Sequence, residues 1–244
     1  MKIRADKLVV ERGLAPTREK AQALILAGLV YRGEVRIDKA GQLIGEDTAL
    51  SLRGKPCPYV SRGGLKLEAA LDAFNPEILG AACADVGAST GGFTDCLLQR
   101  GAARVFSIDV GHGQLDMSLR SNPRVVCMEG VNARYLTGAS LPEPVSLVTV
   151  DASFISLRLL LPAIKESAPG ASVIALVKPQ FEAGRGQVGK GGVVRDEEVR
   201  RGCVESVCET ALSLGYTLGG TIESPLKGPK GNVEFLIYLR PAEP

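Results

Sequence analysis

A glycine-rich turn between a strand and a helix constrains this chain most. Segment 84–95 reads ADVGASTGGFTD, in which an apolar strand runs into Gly87 and a helix follows Gly91 and Gly92. Glycine lets the backbone approach a ligand closely, and the first turn of a helix presents unpaired N–H groups. The segment therefore predicts a ligand-binding turn at the carboxyl end of the first strand of an α/β domain.

Apolar, β-rich runs alternate with helical stretches from residue 81 onward. Strands that alternate with helices indicate a mainly parallel sheet with helices on both faces. The predicted fold class is therefore α/β, with a Rossmann-like domain as the larger part of the chain. The predicted strands are 83–86, 105–110, 125–128, 147–150, 173–177, 216–222 and 234–239. One helix is predicted after Ser61–Gly64, and others over 92–100, 156–167 and 196–214.

The first 50 residues predict a separate small α+β module. A short helix is expected over Asp6–Arg12, and a second helix is expected to begin after an N-cap at Thr17 and to end at Gly28. Segment Leu29–Asp38 predicts two short strands around a turn. Residues 54–59, GKPCPY, contain two prolines and show no apolar periodicity, which indicates a linker. The predicted domains are residues 1–53 and 61–244, joined by a linker over 54–60.

Charge is distributed unevenly along the chain. The net charge is +2, but residues 1–60 hold 11 Lys and Arg against 7 Asp and Glu, whereas the rest hold 18 against 20. A basic front on a near-neutral body favours a module that binds a polyanion. The basic residues expected to meet phosphates are Arg4, Lys7, Arg18, Lys20, Arg32 and Arg36.

Residues 4–38, RADKLVVERGLAPTREKAQALILAGLVYRGEVRID, resemble the S4 RNA-binding domain over nearly its whole length. The resemblance implies RNA binding, and the spread of basic residues favours recognition of phosphates and shape over reading of bases. A helix-rich module for dimerisation or capping is the alternative interpretation of the same residues.

The second predicted strand ends at Asp109, 24 residues after Asp85, where a carboxylate can accept hydrogen bonds from the ribose hydroxyls of an adenosine. The turn departs from GxGxxG and resembles motif I of the class I methyltransferases. This resemblance implies S-adenosyl-L-methionine as cofactor, with Asp85 near its methionine amine and residues 129–132 beside its adenine. An ordinary glycine-rich turn is the alternative. The cofactor-binding residues implied are Asp85, Gly87, Ser89, Thr90, Gly91, Gly92, Phe93, Asp109 and Asn132.

Two other motifs would indicate a different function, a serine hydrolase or a P-loop protein. Residues 87–91 satisfy the G-x-S-x-G pattern of serine hydrolases, but the single histidine, His112, precedes Asp151 and so breaks the required order. Residues 184–191 nearly form a Walker A motif, but a glycine follows Lys190 where a hydroxyl is needed. Five glycines between 184 and 192 predict instead a mobile flap.

The chain offers no signature of metal binding or secretion. Its six cysteines form no CxxC pair and it has one histidine, so no metal site is predicted. The start, MKIRADKLVV, lacks the apolar core of a signal peptide, and no early apolar run reaches the ~18–20 residues of a membrane span. We expect a cytoplasmic protein with no membrane partner; the sequence sets no oligomeric state.

Four charged residues are the candidates for the reacting groups: Lys66, Asp151, Lys178 and Glu234. Asp151 and Lys178 follow neighbouring predicted strands, where sites form in α/β folds. Glu234 begins the last predicted strand, which reaches the same edge if it runs antiparallel. Salt-bridged surface charges without a catalytic role are the alternative.

This quartet resembles the Lys-Asp-Lys-Glu set of the FtsJ-like ribose 2′-O-methyltransferases. With the S4 front and the segments SRGGLKL, VDASFISL, LVKPQFE and GNVEFL, the whole chain resembles the TlyA family. The resemblance implies S-adenosylmethionine-dependent cytidine 2′-O-methylation of ribosomal RNA, free or in a ribosomal subunit. Likeness to the shorter form of the family implies 23S RNA. The alternatives are an RNA-binding scaffold without methyl transfer and a membrane-lytic haemolysin, a label that some relatives carry.

The resemblance also implies that Lys178 polarises the ribose 2′-hydroxyl or takes its proton. A lysine is a base only when it is neutral. A bound sulfonium cation and desolvation by docked RNA both disfavour the ammonium form. We therefore expect Lys178 to act only when cofactor and RNA are both bound.

Overall fold

The chain forms two units, Met1–Pro58 and Tyr59–Pro244. The computed structural model describes residues 2–26, 28–54, 57–184, 186–228 and 230–242. The boundary between the units falls inside the predicted linker, of which residues 55 and 56 lie outside the described part. The finer domain bounds of the sequence analysis stay a prediction.

In its described residues the first unit contains two helices and two small antiparallel sheets. One sheet pairs β1 with β4, and the other has the order β3-β2-β5. The two predicted strands of Leu29–Asp38 are present as β2 and β3, whereas β1, β4 and β5 are equally short, lie outside that predicted pair and were not predicted. The elements are β1 (Lys2–Arg4), α1 (Ala5–Glu11), α2 (Arg18–Leu26), β2 (Val30–Arg32), β3 (Val35–Arg36), β4 (Leu43–Gly45) and β5 (Ser51–Leu52).

Both predicted ends of the second helix are confirmed. The Thr17 hydroxyl accepts a hydrogen bond from the Lys20 N–H at 3.3 Å, as an N-cap does. Gly28 has a φ of +72°, and its N–H donates to the Ile25 carbonyl at 2.9 Å. A positive φ of this kind at a helix end suits glycine, which carries no Cβ.

A buried carboxylate ties this unit together. Asp6 is inaccessible to solvent, and its oxygens accept hydrogen bonds from Arg4, Arg18 and Gln22 at 2.9–3.0 Å. The Arg4 guanidinium, helped by Gln22 and Arg18, holds the pKa of this carboxyl well below its usual range, although burial opposes the effect. Asp6 thus links the first strand and both helices through one charge.

We predict that Asp6→Asn lowers the free energy of unfolding of the first unit by about 2 kcal/mol, because charge-assisted hydrogen bonds are lost from a buried site. The control is Asp38→Asn, since Asp38 pairs with Arg36 in the open and such pairs contribute under about 1 kcal/mol. Urea unfolding of the full chain measures both variants. Equal effects of the two substitutions would contradict the prediction.

The contribution of Asp6 to the free energy of unfolding decreases as the pH falls. Because the folded pKa of Asp6 is depressed, its stabilisation is present above the unfolded pKa near ~4 and is lost as pH falls towards the folded value. We expect the wild-type chain to lose more stability than Asp6→Asn between pH 5 and pH 3 in the same urea experiment.

The second unit is built on a seven-stranded sheet of order β11-β12-β10-β9-β6-β7-β8. Among the described strands β12 runs antiparallel to both neighbours, and the others are parallel to one another. The α/β fold class is confirmed, and each predicted strand is present with ends shifted by at most two residues. The strands are β6 (Ala82–Val86), β7 (Arg104–Asp109), β8 (Val125–Glu129), β9 (Leu147–Val150), β10 (Ser172–Val177), β11 (Tyr216–Glu223) and β12 (Phe235–Pro241).

Helices cover the sheet on both faces. The core beneath α6 and α8 takes alternate residues of the strands, such as Ala84 and Val86, and α3 and α4 lie over the other face. Predicted helices 156–167 and 196–214 begin one residue later, because Ser156 and Asp196 are N-caps. The single-turn helices α5 and α7 were not predicted. The helices are α3 (Gly63–Phe74), α4 (Gly92–Gln99), α5 (Met117–Arg120), α6 (Leu157–Ser167), α7 (Pro179–Glu182) and α8 (Glu197–Ser213), with a 3₁₀ turn at Ala133–Tyr135.

Candidate active site

The four predicted reacting groups lie together as two ion pairs. Lys66 Nζ is 2.6 Å from Glu234 Oε2, and Lys178 Nζ is 2.6 Å from Asp151 Oδ1. All four line one cavity of about 340 Å³, which we call the catalytic cavity. Glu234 and Lys178 are 1% and 8% exposed, so each charge is held mainly by its partner.

The sheet explains why these residues meet. Asp151 and Lys178 directly follow the parallel neighbours β9 and β10, so both lie at the carboxyl edge of the sheet. Val177 pairs with Phe235 across β10 and β12. Because β12 is antiparallel, Glu234 reaches the same edge beside Lys178, as the sequence analysis expected for a strand of that direction.

Two contact residues at this edge were missed by sequence reasoning. Lys178 Nζ donates to Ser153 Oγ at 2.9 Å, and Gln180 Nε2 donates to Glu234 Oε1 at 3.3 Å. Each lies two residues after a residue that was predicted, Asp151 or Lys178, and that spacing is the one signal that could have found them. Both oxygens of Glu234 are thereby engaged, one by Lys66 and one by Gln180.

The glycine-rich turn packs directly on the residue that follows β9. Gly87 has a φ of +82°, and a Cβ built there would lie 2.7 Å from the Asp151 carbonyl oxygen. The Asp109 carboxylate accepts hydrogen bonds from the Ser89 and Gly111 N–H groups at 2.8 and 2.7 Å. The turn is thus fixed between the ends of β7 and β9, with no room for a side chain at Gly87.

A second cavity of about 390 Å³ continues from the catalytic cavity along the sheet edge, and we call it the nucleoside cavity. Gly87, Ser89, Asp151 and Ser153 line both cavities. Of the predicted cofactor residues, Thr90, Gly92 and Phe93 line the catalytic cavity, whereas Asp109 and Asn132 line the nucleoside cavity. Gly91 lines neither of these two cavities and provides the left-handed N-cap of α4, with a φ of +95°.

Asp85 differs from the other predicted cofactor residues in its burial. It is inaccessible to solvent and lines neither cavity. Its oxygens accept hydrogen bonds from the hydroxyls of Thr94 at 2.7 Å and Thr149 at 3.2 Å. The carboxylate thus fixes α4 to the sheet, and a position near a ligand amine stays a prediction.

Burial raises the pKa of Asp85 to about 7, although its hydrogen bonds with Thr94 and Thr149 oppose the shift, and Asp151 nearby adds to it. A raised folded pKa means that Asp85 favours folding when protonated, and that this contribution is lost as pH rises through about 7.

We predict that Asp85→Asn, which keeps the shape and removes the charge, becomes more stable relative to wild type as pH rises from 5 to 8. Urea unfolding of both chains across this range gives the difference in unfolding free energy. A difference that stays constant with pH would show that Asp85 does not titrate there.

Comparison with known proteins identifies the family. A sequence model of the FtsJ-like methyltransferases matches residues 59–241, and a model of the S4 domain matches residues 3–49. This chain belongs to the TlyA family of FtsJ-like methyltransferases. The 16S/23S rRNA (cytidine-2′-O)-methyltransferase TlyA of Mycobacterium tuberculosis is 48% identical over 97% of this chain and 89% of its own length. Hemolysin A of Brachyspira hyodysenteriae is 39% identical over 97% of this chain and 99% of its own.

Solved structures agree with membership of the TlyA family. A Streptococcus thermophilus protein named for hemolysin is 45% identical, with a TM-score of 0.79 over 99% of this chain and 89% of that one. An S-adenosylmethionine-dependent methyltransferase of Mesorhizobium loti, 16% identical, has a TM-score of 0.53 over 70% of this chain and 96% of its own, and shares the fold alone. The family predicted from the motifs is confirmed.

The basic residues of the S4 domain divide into two groups. Arg4 and Arg18 are ion-paired with Asp6, and Arg36 is ion-paired with Asp38 at 2.6 Å. In the part of the chain that the structure describes, the exposed Lys7, Lys20 and Arg32 make no ion pair. The unpaired group is therefore the more readily available to an anion.

Two other expectations concern metals and membranes. Among the described residues, no group of three or more His, Cys, Asp or Glu side chains is placed to hold a metal ion. None of the helices within the described ranges is long and apolar enough to cross a membrane. The flap predicted over 184–192 includes residue 185, which lies outside the described residues, and its mobility stays a prediction.

Proposed function

We propose that this chain transfers a methyl group from S-adenosyl-L-methionine to the 2′-hydroxyl of a cytidine ribose in 23S ribosomal RNA. One observation carries the proposal: Lys178 Nζ, held by Asp151 and Ser153, stands where the catalytic cavity meets the glycine-rich turn. The names of the M. tuberculosis relative and of the 38% identical TlyA of Campylobacter jejuni support cytidine-2′-O transfer to rRNA. The latter relative is named for 23S rRNA and matches 74% of this chain and 70% of its own length. Such a substrate implies action in the cytoplasm.

The cavities fit the chemistry of this cofactor. The glycine-rich turn carries no side chain at Gly87, and the nucleoside and catalytic cavities share Gly87 and Ser89 in their walls. Asp109 keeps carboxylate lone pairs for ribose hydroxyls beyond its two backbone bonds. Asn132 would lie beside the adenine, and Thr90, Gly92 and Phe93 beside the methionine part. When bound, the cofactor supplies an electrophilic methyl group on a sulfonium cation.

Lys178 is the residue that we assign to the acceptor hydroxyl. Nζ donates one hydrogen bond to Ser153 and is ion-paired with Asp151, and since an ammonium group has three N–H donors, a donor remains for the 2′-oxygen. From there Nζ either polarises the hydroxyl or takes its proton as the oxygen attacks. Only a neutral amine can take the proton, and a bound sulfonium cation and desolvation by docked RNA both disfavour an ammonium group, so the second role requires cofactor and RNA together.

We assign Lys66 and Glu234 the role of positioning groups. Their ion pair is nearly shielded from water, with side chains that are 12% and 1% exposed, and it forms part of the wall of the catalytic cavity. Positioning of reactants supplies much of the acceleration in a direct displacement, so a rigid wall is of direct use to the reaction.

The first unit is assigned to RNA docking. Lys7, Lys20 and Arg32 are exposed cations on an S4 domain, which supports contact with phosphates rather than with base edges. The substrate is then free 23S RNA or the assembled subunit, and both are included in the test.

We predict that Lys178→Met lowers methylation at least about 100-fold, because a positioned general base or hydrogen-bond donor is lost. Cofactor affinity should change little. The control is Lys165→Met on α6, a lysine that lines neither cavity. Transfer of radiolabelled methyl groups to 23S RNA, 16S RNA and both subunits measures activity, and calorimetry measures cofactor binding.

The pattern of labelling distinguishes the proposed function from its alternatives. Label on a 23S ribose that is lost in Lys178→Met supports the proposal. Cofactor binding without label on any RNA would replace it with an RNA-binding scaffold, and label on a base rather than a ribose would replace the acceptor group.

A further inference from the structure

A third cavity, of about 290 Å³, borders the catalytic residues and shares Ser153 and Phe154 with the nucleoside cavity. We call it the acceptor cavity. It shares Ser153, Lys178 and Glu234 with the catalytic cavity, but the glycine-rich turn does not line it. Lys178 and Glu234 therefore stand between the turn and the acceptor cavity. Its volume is at the small end of the range for ligand pockets.

The direction of methyl transfer indicates which part of the substrate would lie in the acceptor cavity. In a direct displacement the attacking oxygen approaches the methyl group in line, on the side away from the sulfur. Because the turn is the proposed cofactor side, the ribose must approach Lys178 from the other side. The acceptor cavity opens there, where the base attached to that ribose needs a place.

We propose that the acceptor cavity holds the base of the target nucleotide and that Gln180 reads its exocyclic amino group. The inference rests on the proposed function and adds to it a specificity residue. The base would leave its stack to enter the cavity, as bases do in enzymes that act on single nucleotides.

The cavity walls suit a flat, single ring. Phe181 and Val188 provide apolar surface, and the Phe181 ring is braced by Phe154 with centroids 5.2 Å apart. The opposite wall is fixed by buried Asn232, whose side chain donates to the Gly192 carbonyl at 2.8 Å and accepts from the Val194 N–H at 2.9 Å. Asn232 thus holds the glycine-rich segment in place beside the cavity.

Gln180 supplies the polar selectivity. Its Nε2 donates to Glu234 Oε1, and a carboxylate ion-paired with Lys66 can only accept, so the amide orientation is fixed. Its Oε1 is buried, and no described residue donates a hydrogen bond to it. A buried acceptor without a donor is unfavourable, so a ligand that brings a donor is preferred.

Cytosine and uracil differ at this point. Cytosine carries an amino group, a donor, at the ring position where uracil carries a carbonyl oxygen, an acceptor. In the proposed complex Oε1 of Gln180 accepts a hydrogen bond from this amino group. Uracil would instead face Oε1 with a second acceptor, so Gln180 favours cytidine over uridine.

The test compares Gln180→Met with a matched control, Gln187→Met, whose residue lies outside the acceptor cavity and accepts a hydrogen bond from the Gly184 N–H. After the methylated position is mapped with the wild-type chain, RNA with cytidine or uridine at that position is methylated by each protein. We expect wild type and control to prefer cytidine in kcat/KM, and Gln180→Met to lose about tenfold of that preference. S-adenosylmethionine binding should be unchanged.

A second variant tests the cavity itself. Val188→Trp should fill the acceptor cavity and remove methylation of RNA while leaving cofactor affinity intact by calorimetry. An unchanged preference in Gln180→Met, or normal activity in Val188→Trp, would overturn the inference while the proposed function stands. A wild-type chain that methylates no RNA would overturn the proposed function itself, and the inference with it.

Discussion

The close packing of Gly87 on the backbone of Asp151 is the constraint on which the site depends. β6 and β9 are adjacent in the sheet, and the Asp151 N–H donates to the Val86 carbonyl at 2.9 Å. A Cβ at Gly87 would separate the two strand ends, since the carbonyl oxygen of Asp151 would lie 2.7 Å from it. One backbone contact therefore sets the distance between the proposed cofactor side and Lys178.

Three of the buried carboxylates, Asp6, Asp85 and Glu234, are stabilised in different ways. Asp6 is surrounded by guanidinium and amide donors and stays ionised. Asp85 has two hydroxyl donors but no cation among its hydrogen-bond partners, so burial raises its pKa to about 7. Glu234 divides its oxygens between Lys66 and Gln180. Asp6 joins a strand and two helices, and Asp85 fixes a helix to the sheet. Glu234 holds two side chains of the site, Lys66 and Gln180, in fixed positions.

Much of this arrangement follows from sequence, and the exceptions have physical causes. Asp151, Lys178 and Glu234 could be placed at one edge because strand direction alone decides where such residues meet. The burial of Asp85 could not be predicted, because a motif fixes the backbone of a turn but not the face of the sheet to which the preceding side chain points. Gln180 has no periodicity or charge to mark it, and its importance appears only through the partner that it contacts. Helices of a single turn escaped prediction for the same reason.

The reversed direction of β12 has a practical consequence for labelling. Phe235 lies at the catalytic edge of the sheet, and the strand then runs seven residues away from it to Pro241. At about 3.3 Å per residue the strand covers roughly 20 Å. A fluorophore or an affinity handle attached to the exposed Ala242 would therefore lie at the opposite edge, where it can report on rotation or immobilise the protein away from the entrance that the proposed RNA substrate would use.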